Sequence, residues 1–412
     1  MRPRAKFGDL VNFLKIFFKV IAGLIALVIV MIVSLIAVLR AQHSMNLTLP
    51  APTGTFAVGR SSFDWVDVNR TDILAPTPGT KREFAVWIWY PASSNATTGT
   101  NEYVPPVLQA AFVQRNRSIF SSLLKRDVAR VHSASITDAE IARSQTSYPV
   151  LLMKSGVGAG SVDYTTLAED LASHGYIVVG NDSPYSTGLT VFPDGRAITR
   201  DAAGNPGEDA PESVWQKAIG PMLATWTADT KFELDQLQRM NDSPGRFDGR
   251  LNLQEIGVFG HSFGGATAAE FCHEDARCKA GIDIDGQPFG GVVQTGVSQP
   301  FMLLMSDHSK ETSSETKVIF AHLHSLYDHL PPLNRLWITL RGSRHFNFSD
   351  DALTFNWPVA QLSGGTGPIG GRRGLAIAAD CIRSFFDVHL RGAPVTQLND
   401  LPARYSEIQV EH

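Results

Sequence analysis

The chain has 412 residues, 43% hydrophobic and 18% charged, with a formal charge of −4. That balance supports a sizeable core and excludes a disordered or collagen-like chain. The near-neutral charge, with no basic run or aromatic-basic interleaving, gives no reason to expect a nucleic-acid partner.

The first predicted element is an apolar run, Val20–Leu39, interrupted only by Ser34. At ~1.5 Å per residue it spans about 30 Å, the thickness of a bilayer core. It exceeds the apolar region of a cleaved signal peptide, and no clean A-x-A site follows. A transmembrane signal-anchor over residues 20–39 is therefore expected. Arg2, Arg4, Lys6, Lys15 and Lys19 precede it, whereas only Arg40 and Arg60 follow within about twenty residues. This bias predicts residues 1–19 in the cytoplasm and the main body outside it, held to the membrane by the helix.

Residues 40–82 are rich in Pro, Gly and Thr and read as a linker with an extended lead-in. Residues 83–412 then alternate between strands and helices. Short apolar runs predict strands at 84–90, 149–154, 176–182, 255–260, 280–285, 301–306 and 335–340. Helical patterns fill 165–175, a stretch starting just after Pro221 and running to 240, 264–273, 315–330 and 372–390. The alternation predicts an α/β fold with one doubly wound, mostly parallel sheet. Residues 101–146 and 184–211 interrupt it and read as excursions that shape a pocket.

Three cysteines are present, and Cys272 and Cys278, six apart, could close a small disulfide loop in an oxidising compartment. Two unpaired thiols are the alternative. No zinc site is expected, because His273 crowds the pair and no second ligand pair has suitable spacing. Seven asparagines stand in N-x-S/T: 46, 69, 95, 116, 181, 241 and 347.

The sharpest motif is GHSFGG, residues 260–265. Ser262 follows a predicted strand and opens a predicted helix, the setting of a nucleophile elbow. In so sharp a turn, residues two before and two after the serine crowd its side chain, which accounts for Gly260 and Gly264; His261 and Gly265 complete the motif. The helix N-terminus favours the negative charge that develops in acyl transfer. A serine nucleophile needs a base and an orienting acid, which follow it in the order Ser, acid, His at the ends of later strands. Among twelve histidines, His345 ends the last predicted strand, with Gly342 and Ser343 to turn the chain. His308 also follows a strand but precedes the next helix. Asp285 and Asp307 end successive strands and both could reach the histidine, while Asp283 lies deeper and reads as structural. Phe263 would supply one oxyanion-hole amide, and the glycine loop 154–161 (KSGVGAGS) the other. A phosphate-binding role for that loop is weak, since no G-K-[ST] follows.

Taken together, FAVWIWYPA, SGVGAG, DLASHGYIV, GHSFGGAT, GIDIDG and RGSRHFNF resemble the corresponding blocks of the platelet-activating factor acetylhydrolase family of the plasma, lipoprotein-associated phospholipase type. The resemblance runs from about Gly54 to Arg391. It implies an α/β-hydrolase fold with Ser262 as nucleophile, Asp285 as acid and His345 as base. Asp285, 23 residues after the serine, suits the family's spacing better than Asp307. The resemblance also implies Val157 as the second oxyanion amide, no metal or other cofactor, and hydrolysis of short or oxidised sn-2 acyl groups of phospholipids. Two departures bear on the substrate: Ser155 stands where mammalian members carry a histidine, and GQPFGG follows Asp285 instead of an aromatic-rich run. A general carboxylesterase or polyester hydrolase is the alternative, and a non-catalytic hydrolase fold used for binding a remote one.

Overall fold

A computed structural model describes residues 7–93, 101–115, 121–192, 194–207, 209–362 and 364–411. Arg2, Arg4, Lys6, Asn95 and Asn116, singled out above, lie outside the described residues.

The fold is mixed α/β, built on one ten-stranded sheet. In chain order its strands are β1 (Ala57–Thr71), β2 (Lys81–Ala92), β3 (Ile136–Thr137), β4 (Tyr148–Lys154), β5 (Ile177–Asp182), β6 (Leu251–His261), β7 (Ala280–Ile284), β8 (Phe301–Met305), β9 (Arg335–Leu340) and β10 (Ile408–Glu411). Their spatial order is β10-β9-β8-β7-β6-β4-β5-β2-β1-β3. From β5 through β9 all neighbours run parallel, while β10, β2 and β1 pair antiparallel.

The principal helices are α1 (Phe7–His43), α2 (Thr165–Ser173), α3 (Glu212–Asn241), α4 (Phe263–Glu274), α5 (Ser314–Asp328) and α6 (Gly371–Arg391). α2 and α6 cover one face of the sheet through Leu167, Leu171, Ile382 and Phe386. α3, α4 and α5 cover the other through Leu234, Leu237, Phe271, Leu323 and Leu326. Burial on both faces is why β4 to β8 read as continuous apolar runs. The strand order reverses at β4, which has β5 on one side and β6 on the other. Such a switch opens a crevice above the C-terminal strand ends, and both glycine motifs, 155–160 and 260–265, lie there.

Two expectations need correction. Residues 40–82 are not only linker and lead-in, because β1 is a 15-residue strand paired with β2 from Ala57↔Ala92 to Thr71↔Lys81. A boundary at 82/83 would separate a pair of bonded strands. β1 escapes the apolar-run criterion because one face meets water: Ser62, Asp64, Val66 and Val68 are exposed, while Trp65 and Asp67 are buried. α3 starts at Glu212, ahead of Pro221, which lies inside it. The turns before Pro221 are mostly exposed, so water can solvate the carbonyl that proline leaves unbonded. Of the N-x-S/T asparagines, Asn181 and Asn347 are buried, which keeps a glycan off them in the folded chain.

α1 is long and apolar enough to cross a membrane and is unburied over its apolar window. Its last turn, however, docks on the body. Asn356 Nδ2 donates to the Leu39 carbonyl (3.3 Å), the Trp357 amide to Gln42 Oε1 (2.9 Å), and the Asp127 amide to the His43 carbonyl (3.1 Å).

Candidate active site

Ser262 joins β6 to α4 at φ 59°, ψ −125°, a conformation that L-residues adopt only under constraint. Its amide donates to the Ile284 carbonyl of β7 (2.8 Å). The glycines make the turn possible: a Cβ at Gly260 would collide with the Gly264 carbonyl, and one at Gly264 with the Lys154 carbonyl. The side chain of Ser262 therefore stands at the N-terminus of α4, where partial positive charge gathers.

His345 follows β9 through the turn at Gly342–Arg344 and opens a short 3-10 turn, His345–Phe348. Its Nδ1–H donates to Asp285 Oδ2 at 2.7 Å, which leaves Nε2 as the basic nitrogen. Asp285, one residue past β7, is itself at φ 50°. Its other oxygen, Oδ1, accepts the Ser306 amide (2.8 Å) and His308 Nε2 (2.9 Å). Burial alone would raise this carboxyl, but the bonds from His308 and His345 outweigh it and hold Asp285 well below the usual carboxylate range.

Asp307 does not meet His345. Its Oδ2 accepts the Gly342 amide (2.9 Å) and its Oδ1 the Ser309 amide and hydroxyl, so it pins the turn that leads to the histidine. Asp283 is buried, accepts the Gly286 amide (2.9 Å), and is pushed well up by desolvation.

Three contributors were assigned no role at the site from the sequence. His308 is the first. Tyr164, in the turn before α2, is the second: its buried hydroxyl accepts the Gly156 amide (3.1 Å) and donates to His261 Nδ1 (2.8 Å). His261 Nε2–H in turn donates to the His345 carbonyl (2.9 Å). Burial, with the His345 charge adding to it, lowers His261 to about 3, so the ring is neutral with its proton on Nε2. Asn347 is the third, its Oδ1 accepting the amides of Arg344 (2.8 Å) and Gly367 (2.7 Å).

One ligand atom each of His261, Asp285 and His345 lie within 4.8 Å of one another, close enough to share a cation. The donor set does not suit one, since both nitrogens of His261 and Nδ1 of His345 are engaged in protein hydrogen bonds.

The glycine loop faces the elbow. The amides flanking Val157 are occupied, Gly156 by Tyr164 and Gly158 by the Ser186 carbonyl (3.1 Å). Beside Phe263 an apolar wall forms from Leu74, Met222, Leu223 and Trp226, with Val157 and Phe289 packed against it. Cys272, near the end of α4, and Cys278, in the loop beyond it, are joined by a disulfide with Cα atoms 5.1 Å apart; Cys381 is a buried free thiol.

The family described as platelet-activating factor acetylhydrolase, isoform II, matches residues 41–186 and 231–401. A protein of Arthroderma benhamiae named "Probable 1-alkyl-2-acetylglycerophosphocholine esterase" is 25% identical over 396 residues, covering 88% of this chain and 93% of its own. The platelet-activating factor acetylhydrolase of Bos taurus is 27% identical over 279 residues, 60% of this chain and 58% of the bovine one. Among solved structures, a ferulic acid esterase from Streptomyces cinnamoneus superposes with a TM-score of 0.73 at 26% identity, covering 89% of this chain and all of the esterase. The family match spans well over half of the sequence and includes the glycine loop, the elbow, Asp285 and His345. The chain belongs to the platelet-activating factor acetylhydrolase family, isoform II.

Proposed function

We propose that this protein is a membrane-anchored serine ester hydrolase that removes short or oxidised sn-2 acyl groups, such as acetyl, from phospholipids of the platelet-activating factor type. His345 Nε2 takes the proton of Ser262 as its oxygen attacks the ester carbonyl. Asp285 fixes the tautomer of His345 and stabilises the imidazolium that forms. The Val157 and Phe263 amides hold the oxyanion at the N-terminus of α4. His345 then protonates the leaving alcohol, and water releases the acyl group by the same steps in reverse. No metal or cofactor is required. The observation that carries this reading is the 2.7 Å bond between His345 Nδ1 and Asp285 Oδ2 at the same C-terminal end of the sheet as the strained Ser262.

The apolar wall beside Phe263 suits the acyl chain. α1 serves as a single-pass anchor with the N-terminus cytoplasmic and the hydrolase domain outside; the basic residues before the span and the disulfide that ties α4 to the loop after it support that orientation. Ser262→Ala should abolish both hydrolysis of a short sn-2 phospholipid and labelling by a fluorophosphonate. Retained activity in that variant would overturn the mechanism.

The fit to a ferulic acid esterase favours a second reading, a broader carboxylesterase. Ser155 and the GQPFGG segment, near the acyl and leaving-group pockets, allow it. Comparing kcat/KM for an acetyl phospholipid, an aryl ester and a polyester separates the two.

A further inference from the structure

Asp285 is held by two imidazoles, and only one has a place in the mechanism. His308 lies three residues beyond β8. Its Nε2 is 2.9 Å from Asp285 Oδ1 and 3.0 Å from the Ser306 hydroxyl, and its Nδ1 is 2.9 Å from Glu311 Oε2. Glu311 Oε1 accepts from Arg344 at 2.9 Å, and Arg344 is the residue before His345. The contacts therefore close a ring: His345, Asp285, His308, Glu311, Arg344 and back along the chain to His345. From Asp285 through His308 and Glu311 to Arg344 the charges alternate, provided that His308 carries a proton.

Every group near His308 bears on that proton. Asp285 faces it from the end of β7, and Glu311 from its own loop. Phe320 of α5 meets the ring in a T-shaped contact, with ring centres 5.5 Å apart. Asp307, next in the chain, is turned away toward Ser309 and Gly342. Among the described residues, His345 is the only other cation-forming group hydrogen-bonded to Asp285; His261 lies within 4.8 Å but is held neutral by burial, and Arg344 is separated from His308 by Glu311. Burial opposes protonation, but the two carboxylates outweigh it and raise His308 to about 9. Both nitrogens then donate, as their two acceptors require.

We propose that His308 is a positioning residue of this hydrolase. Its Nε2–H orients Asp285 and, by sharing that carboxylate, opposes protonation of His345 in the free enzyme, extending activity to lower pH. In a lone His–Asp pair the full carboxylate charge favours the imidazolium, which cannot act as a base. Here His308 offsets some of that charge. The proposal rests on the serine-hydrolase reading of the site.

The test is the pH profile of kcat/KM for a short-chain ester, on the full chain in detergent, for wild type, His308→Gln and His308→Lys. Glutamine keeps a neutral donor toward Asp285. Its acid limb should move up by about half to one pH unit, the effect of removing one cation a carboxylate away from the base. Lysine restores a cation, and its acid limb should return toward that of wild type. A uniform loss of activity with unmoved limbs, or limbs that move equally in both variants, would overturn the proposal. A second measurement needs no variant to fold: in the wild type, the His308 ring should stay protonated by NMR up to about pH 9. Titration of that ring near the ordinary ~6.5 would equally overturn the proposal. Failure of the underlying reading is distinguishable, because Ser262→Ala would then remain active, whatever His308 does.

Discussion

Tyr164→Phe removes one oxygen from the centre of the site and nothing else. That oxygen accepts the Gly156 amide and donates to His261 Nδ1, and burial pushes the phenol up so that it keeps its proton. Phenylalanine fills the same space but leaves a buried N–H and a buried ring nitrogen without partners. An unsatisfied buried group costs about 1–3 kcal/mol, so after some relaxation the loss should be about 2–4 kcal/mol. In a scan this would appear as a fall in Tm of about 5 °C. Activity should fall further than stability accounts for. Gly156 precedes Val157, and His261 holds the His345 carbonyl, so one hydroxyl fixes both the proposed oxyanion loop and the proposed base. Losing a whole oxyanion donor costs about 10²–10³ in kcat; loosening one should cost about tenfold or more, with little change in KM. The assay is chemical denaturation alongside steady-state hydrolysis of a soluble short-chain ester. Combining Tyr164→Phe with His261→Phe should cost less than the sum of the two, because they share one chain of hydrogen bonds. A Tyr164→Phe protein within about 0.5 kcal/mol and twofold in kcat of wild type would refute the reasoning.

Two other outcomes follow from the same geometry. Asp285→Asn should lower kcat by up to about 10⁴, as loss of the carboxylate leaves His345 in the wrong tautomer. Asp307→Asn, which loosens only the turn at Gly342, should cost about tenfold at most; the reverse ranking in kcat would reassign the acid. Stability should also depend on pH on both sides of neutrality. His261 is lowered to about 3 in the fold against ~6.5 unfolded. Between those values only the unfolded chain takes up that proton, so stability falls as pH drops, by about 1.4 kcal/mol per unit from this group. His308 has the opposite sign: raised to about 9, its contribution is fully present below ~6.5 and is lost as pH rises toward 9. Denaturation across pH 4.5 to 9 should show both declines, and His308→Gln should flatten the alkaline one. A wild-type stability that rises steadily below pH 6 would contradict the assignment for His261.

Legibility in the sequence followed burial. β4 to β9 were readable because they lie in the interior of the sheet, and helices on both faces make most of them nearly unbroken apolar runs. β1 was not, because it meets water on one face and dilutes its pattern with Ser62 and Asp64. The elbow was readable because steric demand leaves only glycine at Gly260 and Gly264, a requirement imposed on the sequence itself. Tyr164, His308 and Asn347 were not, because a hydrogen bond across the fold places no such demand on neighbouring residues.

The ambiguity between Asp285 and Asp307 had a physical cause. β7 and β8 run parallel with Ile284 opposite Leu304, so both strands stop at one level of the sheet. Whatever follows either strand arrives beside His345. Asp285 follows β7 directly and takes the imidazole. The segment after β8 reaches the same point and supplies the Ser306 amide and His308 to the other oxygen of that carboxylate, while Asp307 turns back to brace Gly342. The two strand ends thus divide one task, with the charge on one and its support on the other. An acid moved from the end of β7 to the end of β8 would meet the same histidine only by giving up that support.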